Sequence, residues 1–253
     1  MPKVTYICLF NNKSQLESLL TPSIDLLRAK HRSCELILVD CLREGYRSAA
    51  EAFNQTIKKK WNSLGDVVCF VHQDIRFDET DFHDRVCSEL ESNPFQLLGV
   101  AGVRDGETTS SNLKYYEDDS YITELHLSTK DKLEVESLDE CCFATSKELL
   151  SKVRFDEYVC FHWHLYAVEF CYAAKVLYDY PSYVLPEQVY HKLNNKDGLY
   201  RDKFFLQSMW RLLNKYNEKL DHICAPCYFH LSTGFIGRFR VLITYIHHLY
   251  FIR

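Results

Sequence analysis

Glycine and proline are scarce in this chain, 8 and 6 of 253 residues. That excludes a collagen-like repeat or a long flexible linker. A basic excess is also missing: 30 Lys and Arg stand against 35 Asp and Glu, a formal net charge of -5. Binding along nucleic-acid phosphates needs the opposite balance, so no nucleic-acid partner is expected. The uncharged run at 241–252 is too short to span a bilayer, which takes about 20 apolar residues. The start, Met1 to Phe10 in one short apolar run, has no small-residue cleavage site and reads as a first strand rather than a leader. Eleven cysteines without a leader are expected to be reduced thiols in the cytoplasm.

What is present is a core. The chain is 47% hydrophobic and 26% charged, enough apolar mass for one large domain or two small ones. Aromatics reach 14%, with 17 Tyr and 16 Phe, which fits a heavy core or a sugar-binding cleft. Apolar strand-like runs at 3–10, 35–40, 66–71 and 97–103 alternate with helical patterns. Ser14-Gln15-Leu16-Glu17 and Ser48-Ala49-Ala50-Glu51 have the form of capping boxes, and a further helix is expected over 80–91. Such runs separated by helices predict a parallel sheet covered on both faces. Residues 104–134 lose all periodicity and read as a mobile lid or acceptor loop, with room for a short hairpin. Helices are expected near 165–178 and over 199–219, and an extended segment over 183–190.

Ligands bind beyond the carboxyl ends of strands in open sheets of this kind. The second strand ends in Asp40, and the third in Val71-His72-Gln73-Asp74. His72 and Asp74, two apart in extended chain, share a side. They are half of a divalent-cation site or a capped turn. A second group, Asp156, Glu157, His162, His164 and Glu169, is rich in acids and imidazoles, and a zinc hydrolase using His162, His164 and Glu169 is the weakest reading of it. Cys224-Ala225-Pro226-Cys227 has redox spacing beside His222 and His230, but no second such pair completes a zinc motif, and it is read as incidental.

The order Val39-Asp40, Ala52-Phe53-Asn54, Cys69-Phe70-Val71-His72-Gln73-Asp74-Ile75, Glu136-Ser137-Leu138-Asp139, Phe155-Asp156-Glu157, His164-Leu165-Tyr166-Ala167-Val168-Glu169 and His191 resembles the nucleotide-diphospho-sugar transferase superfamily, relatives of the family 2 glycosyltransferases. The similarity runs over residues 3–216. It implies an α/β fold of the GT-A type: a Rossmann-like mixed sheet flanked by helices over 1–220, followed by a helical apolar and basic tail over 221–253. It further implies a nucleotide-sugar donor, a glycan or lipid-linked acceptor, and Mn²⁺ or Mg²⁺. Asp40, Asn54, His72 and Asp74 match donor-contacting positions, with Asp74 at the last acid of the family's Asp-x-Asp motif and His72 replacing the first. His191 matches a histidine that completes the metal shell in some relatives.

One departure matters. Inverting relatives carry a catalytic acid where this chain has Tyr166-Ala167, and alanine cannot take a proton. Asp139, Glu169 and His164 are therefore the candidates for the base. A catalytically impaired nucleotide-sugar or glycan-binding relative is the competing expectation. The tail, with Arg238, Arg240 and Arg253 among aromatic and aliphatic residues and no acid from 233 onward, is expected either to pack on the domain or to lie on the inner face of an anionic membrane.

Overall fold

Three apolar runs form the centre of the sheet in the computed structural model, which describes residues 2–31, 33–77, 79, 81–104, 110–111, 113–117, 120–124, 130–192, 203–226 and 229–251. The first half runs β1 (Val4–Phe10), α1 (Lys13–Ser18), α2 (Leu20–Lys30), β2 (Cys34–Asp40), α3 (Cys41–Glu44), α4 (Ala49–Lys60), β3 (Val67–His72), β4 (Ile75–Arg76), α5 (Asp81–Ser92), β5 (Leu97–Gly99) and β6 (Ala101–Val103). There follow β7 (Ser110–Ser111), β8 (Leu113–Glu117), β9 (Ser120–Glu124), β10 (Leu133–Val135), β11 (Ser137–Leu138), β12 (Cys142–Ser146), α6 (Lys147–Lys152), α7 (Tyr166–Tyr178), β13 (Ser182–Val184), β14 (Val189–Lys192), α8 (Lys203–Tyr216), β15 (His222–Ala225), β16 (Phe229–Ser232) and α9 (Phe235–Phe251).

The main sheet has seven strands in the order β10-β13-β5-β12-β3-β1-β2. β1 pairs in parallel with both β2 and β3, whereas β12 runs antiparallel to β3 and β5. The sheet is thus mixed, as the family resemblance implies, rather than wholly parallel as the alternation of runs alone predicts. The apolar run at 97–103 also divides: β5 stays in the main sheet and β6 joins β11 and β7 in a second one. A continuous apolar run carries no signal for such a change of partner. Gly99 and Gly102 allow it, since a Cβ there would press on the Leu138 side chain and the Ser137 carbonyl.

Alternate side chains go to opposite faces of the sheet, as the strand period of two requires. Ile7, Val68, Phe70 and Phe143 pack with α4, α6, α7 and α8. Tyr6, Cys8, Cys69 and Ala144 pack with α2 and α5. Each fully buried side chain of this size contributes about 1.5–3 kcal/mol. Ser48 caps α4, its side chain accepting from Glu51 N. α1 begins one residue before the expected Ser14, because Asn12 accepts from Gln15 N and makes the better cap.

Most of the described part of residues 104–134 is strand, and it contains the hairpin for which the sequence leaves room. β8 and β9 form an antiparallel hairpin, and β8 lies parallel to β14. Residues 105–109, 112, 118–119 and 125–129 of that segment lie outside the described residues, as do 199–202 of the expected helix. The tail does not start as a helix: β15 and β16 form a hairpin before α9. α9 lies on α8, burying Val241 and accepting a hydrogen bond from Gln207 Nε2 at Tyr245 Oη (2.7 Å). Its other side exposes Phe235, Ile236, Phe239, Ile243 and Ile246.

His83 sits under the sheet, its Nδ1 3.1 Å from Tyr6 Oη and its ring stacked on His31 at 4.4 Å. Burial, reinforced by His31, pushes its pKa down to about 4. A base depressed in the folded state stabilises the fold above its unfolded value, near 6.5, and loses that contribution as pH falls toward 4. Urea unfolding across this range is expected to show the stability gap between the wild type and His83→Gln narrowing as pH falls. A pH-independent gap contradicts the assignment.

Candidate active site

The register of the parallel strands sets up the site. Phe10 lies beside Asp40 and Leu9 beside His72, so β1, β2 and β3 end at one edge. Gln73 ties this edge together, accepting from Asn11 N and Asn12 N (3.0 and 2.9 Å) and donating to Asn11 Oδ1 (2.9 Å). The chain then turns at Asp74 into β4, which pairs with β14 so that His191 faces Ile75. Lys192 N donates to the Asp74 carbonyl.

That pairing gathers two imidazoles around one carboxylate. His191 Nε2 is 3.4 Å and His72 Nδ1 3.9 Å from Asp74 Oδ1. One donor atom from each residue falls within 4.8 Å of the others. Tyr166 Oη is 2.9 Å from His72 Nε2 and donates to the Glu140 carbonyl. A hydroxyl that donates there accepts from Nε2–H, which leaves the His72 Nδ1 lone pair on the Asp74 side. Burial, aided by His191, holds His72 below its ordinary pKa against the pull of Asp74. Burial opposes the charge on His191 too, but the hydrogen bond to Asp74 prevails and raises it. Asp74 is lowered: burial pushes it up, and the two histidines more than offset this. A buried carboxylate between two nitrogen donors, one of them kept neutral, is chemically suited to a divalent cation of the Mn²⁺ type.

Asp139 comes to the same place. It precedes β12, its Oδ1 accepts from Cys141 N (2.8 Å), and its charge acts on both His72 and His191. Asp40 caps α3 at the end of β2, accepting from Arg43 N (3.0 Å). The other expected residues are not brought to the cluster. Asn54 is spent on the loop after α6, donating to the Phe155 carbonyl and Glu157 Oε1 (both 2.9 Å). His164 sits against Phe205, and His162 stacks on Phe204 at 4.2 Å. Glu169 is wholly buried and held by Lys215 (2.6 Å) and Tyr216 Oη (3.0 Å), with Asp156 completing the network through Lys215 (2.7 Å). His162, His164 and Glu169 therefore make no common donor set.

Glu140 and Gln73 were missed as site residues in the sequence. Glu140 Oε1 accepts from Tyr166 N (2.8 Å), and its carboxylate is also bonded by the Leu165 and Ala167 N–H groups. It thereby serves α7, whose N-cap Leu165 is left-handed (φ 65°) and offers no side-chain cap. Burial and the neighbouring Asp139 push its carboxyl well up. Ala167 is fully buried, and Glu140 brings a carboxylate next to its backbone. The only trace in the sequence is a second acid beside Asp139 directly before a buried strand.

No protein-family profile and no curated protein matches the sequence. Solved structures do match the fold. GalNAc-T7 with UDP, GalNAc and Mn²⁺ is similar with a TM-score of 0.58 at 8% identity, over 87% of this chain and 49% of that one. The mannosyltransferase PcManGT of Pyrobaculum calidifontis, in complex with GDP-Man and Mn²⁺, is similar with a TM-score of 0.53 at 15% identity, over 98% and 70%. The chain spans about half the length of the GalNAc-T7 structure. The fold is the GT-A type of glycosyltransferases, a mixed seven-stranded sheet between helices with a helix at the C-terminal end.

The Glu169 network makes a test of support against catalysis. Lys215→Met leaves a buried carboxylate without its cation and is expected to cost about 3–5 kcal/mol of stability. Lys215→Met/Glu169→Gln should recover most of it. Full stability of the single variant contradicts this placement.

Proposed function

We propose that the chain is a glycosyltransferase, moving a sugar from a nucleotide-diphosphate donor to a hydroxyl acceptor with inversion, in surface-glycan or polysaccharide synthesis. The observation that carries the reading is the meeting of His72, Asp74 and His191 at the carboxyl edge of a GT-A sheet. The structural neighbours hold UDP or GDP-Man with Mn²⁺, which supports the same ligand class here. Asp74, His191 and His72 would hold Mn²⁺ or Mg²⁺, whose charge offsets that developing on the leaving diphosphate. Asp40 lies at the end of β2 to take the nucleoside. Tyr166 orients His72, and Gln73 keeps the β1 and β3 ends together.

Asp139 is the base in this reading, because its charge reaches the cluster, whereas Glu169 is spent on Lys215 and Glu140 on the N–H groups of α7. A positioned base is worth about 10²–10⁴-fold in rate. A second reading, a binding protein with impaired catalysis, is favoured by the burial of Ala167 and the pairing of Glu169 with Lys215. Two variants decide between them. Asp74→Ala is expected to abolish metal-dependent binding of a uridine or guanosine diphosphate sugar. Asp139→Asn is expected to keep that binding and lower turnover about 10²–10⁴-fold. Unchanged affinity in the first overturns the cation site; absence of turnover in the wild type with a range of acceptors favours the binding protein.

The proposal extends to the tail. Among the described residues no helix is long and apolar enough to cross a membrane. α9 uses one side on α8 and turns Phe235, Ile236, Phe239 and Ile243 outward beside Arg240. Such a face suits the cytoplasmic surface of an anionic membrane and a lipid-linked acceptor. Co-sedimentation with anionic vesicles is expected for the wild type and lost in Ile236→Glu/Ile243→Glu, both exposed positions. Equal sedimentation of the two removes the membrane contact.

A further inference from the structure

A second cluster of metal-ligating side chains lies away from the donor edge, where the C-terminal hairpin meets the strand that leads to Asp139. In the β15–β16 pair Cys224 is directly opposite His230, and His222 lies two residues before Cys224, on the same face. β11 begins immediately after Glu136, whose Oε1 is 3.4 Å from His222 Nε2. Cys224 Sγ is 3.3 Å from His230 Nδ1. One donor atom each from Glu136, His222 and Cys224 falls within 4.8 Å of the others.

The geometry points to a zinc site formed by Glu136, His222 and Cys224, the fourth position being taken by water. One thiolate, one imidazole and one carboxylate are a borderline-soft set that zinc takes in tetrahedral array. Zinc–ligand bonds of about 2.0–2.3 Å place tetrahedral ligands about 3.3–3.8 Å apart. The 3.4 Å Glu136–His222 separation is one edge of that figure, and His230 stands beside it, stacked on His222 and 3.3 Å from Cys224 Sγ. The cluster is also held from outside. Tyr172 Oη accepts from Cys224 N (2.7 Å) and lies 3.1 Å from Glu136 Oε2, which turns the other carboxylate oxygen toward His222. Ser137 Oγ donates to the Cys224 carbonyl (2.7 Å). Outer partners of this kind orient ligands in metal sites.

Access is provided by a cavity of about 680 Å³ lined by Glu136, His222, Tyr172 and Lys219 among others. On binding, the Cys224 thiol gives its proton to solvent and the thiolate takes the metal. The ion would staple the hairpin at the root of α9 to the segment carrying Asp139, three residues beyond Glu136.

The full-length chain with His191→Ala, which removes the other cluster, isolates this site. After equilibration with zinc and removal of excess, it is expected to retain about one zinc per chain. With cobalt in place of zinc it should show thiolate-to-cobalt charge-transfer absorption in the near ultraviolet. Adding Cys224→Ser should abolish that band, and adding His222→Ala should weaken zinc retention at least about tenfold, both with an unchanged circular-dichroism spectrum. Zinc should raise the melting temperature of the His191→Ala chain and not that of the Cys224→Ser form. Failure of the folded chain to retain zinc, or a cobalt band that survives Cys224→Ser, overturns the assignment.

Discussion

Asp74 is 6% exposed, and an ionised carboxylate removed from water to that degree costs several kcal/mol unless positive charge meets it. His191, from β14, meets it with charge, and His72, kept neutral at the end of β3, stands beside it. The rest of the site follows from that requirement. β4 exists as a two-residue strand because its pairing with β14 is what carries His191 to Asp74. Tyr166 stands at the start of α7 and fixes the ring of His72, and α7 can start there because Glu140 bonds its free N–H groups.

Other acids of the chain do structural work, and the contrast is informative. Glu169 lies on the same helix as Tyr166, three residues on, yet it ends in a closed network with Lys215, Tyr216 and Asp156. Burial raises its carboxyl, and Lys215 offsets part of that rise. The result is a clamp between α7, α8 and the loop before α7. Asn54 plays a similar part for the same loop. A helix that begins at the site thus carries both a residue that contacts the His72–Asp74–His191 cluster and one that anchors the helix from behind.

The sequence made the strand and helix alternation legible, since apolar runs and the Ser48 cap are local signals. The exposed edge was legible as well: Asp40, His72 and Asp74 follow from strand ends and a spacing of two. The mixed direction of the sheet was legible through the family resemblance and not through the pattern of runs, and the division of 97–103 between β5 and β6 was not legible at all, because strand pairing is a long-range choice. His191 is legible through the family resemblance alone, its position depending on a pairing across more than a hundred residues. Glu169 reads as a candidate base in the sequence because its partner, Lys215, is distant in the chain. Cys224 offers no metal motif in the sequence, which has no second Cys-x-x-Cys, because its neighbours Glu136, His222 and His230 come together only in space.

The central claim is that His72 and His191, with Asp74, hold a divalent cation at the donor edge. Pulsed electron paramagnetic resonance on Mn²⁺ bound to the full chain with a nucleoside diphosphate tests it most directly. The account predicts ¹⁴N modulation from imidazole coordination that weakens in His191→Ala. A Mn²⁺ spectrum with no nitrogen coupling in the wild type, or one indifferent to His191, would contradict it.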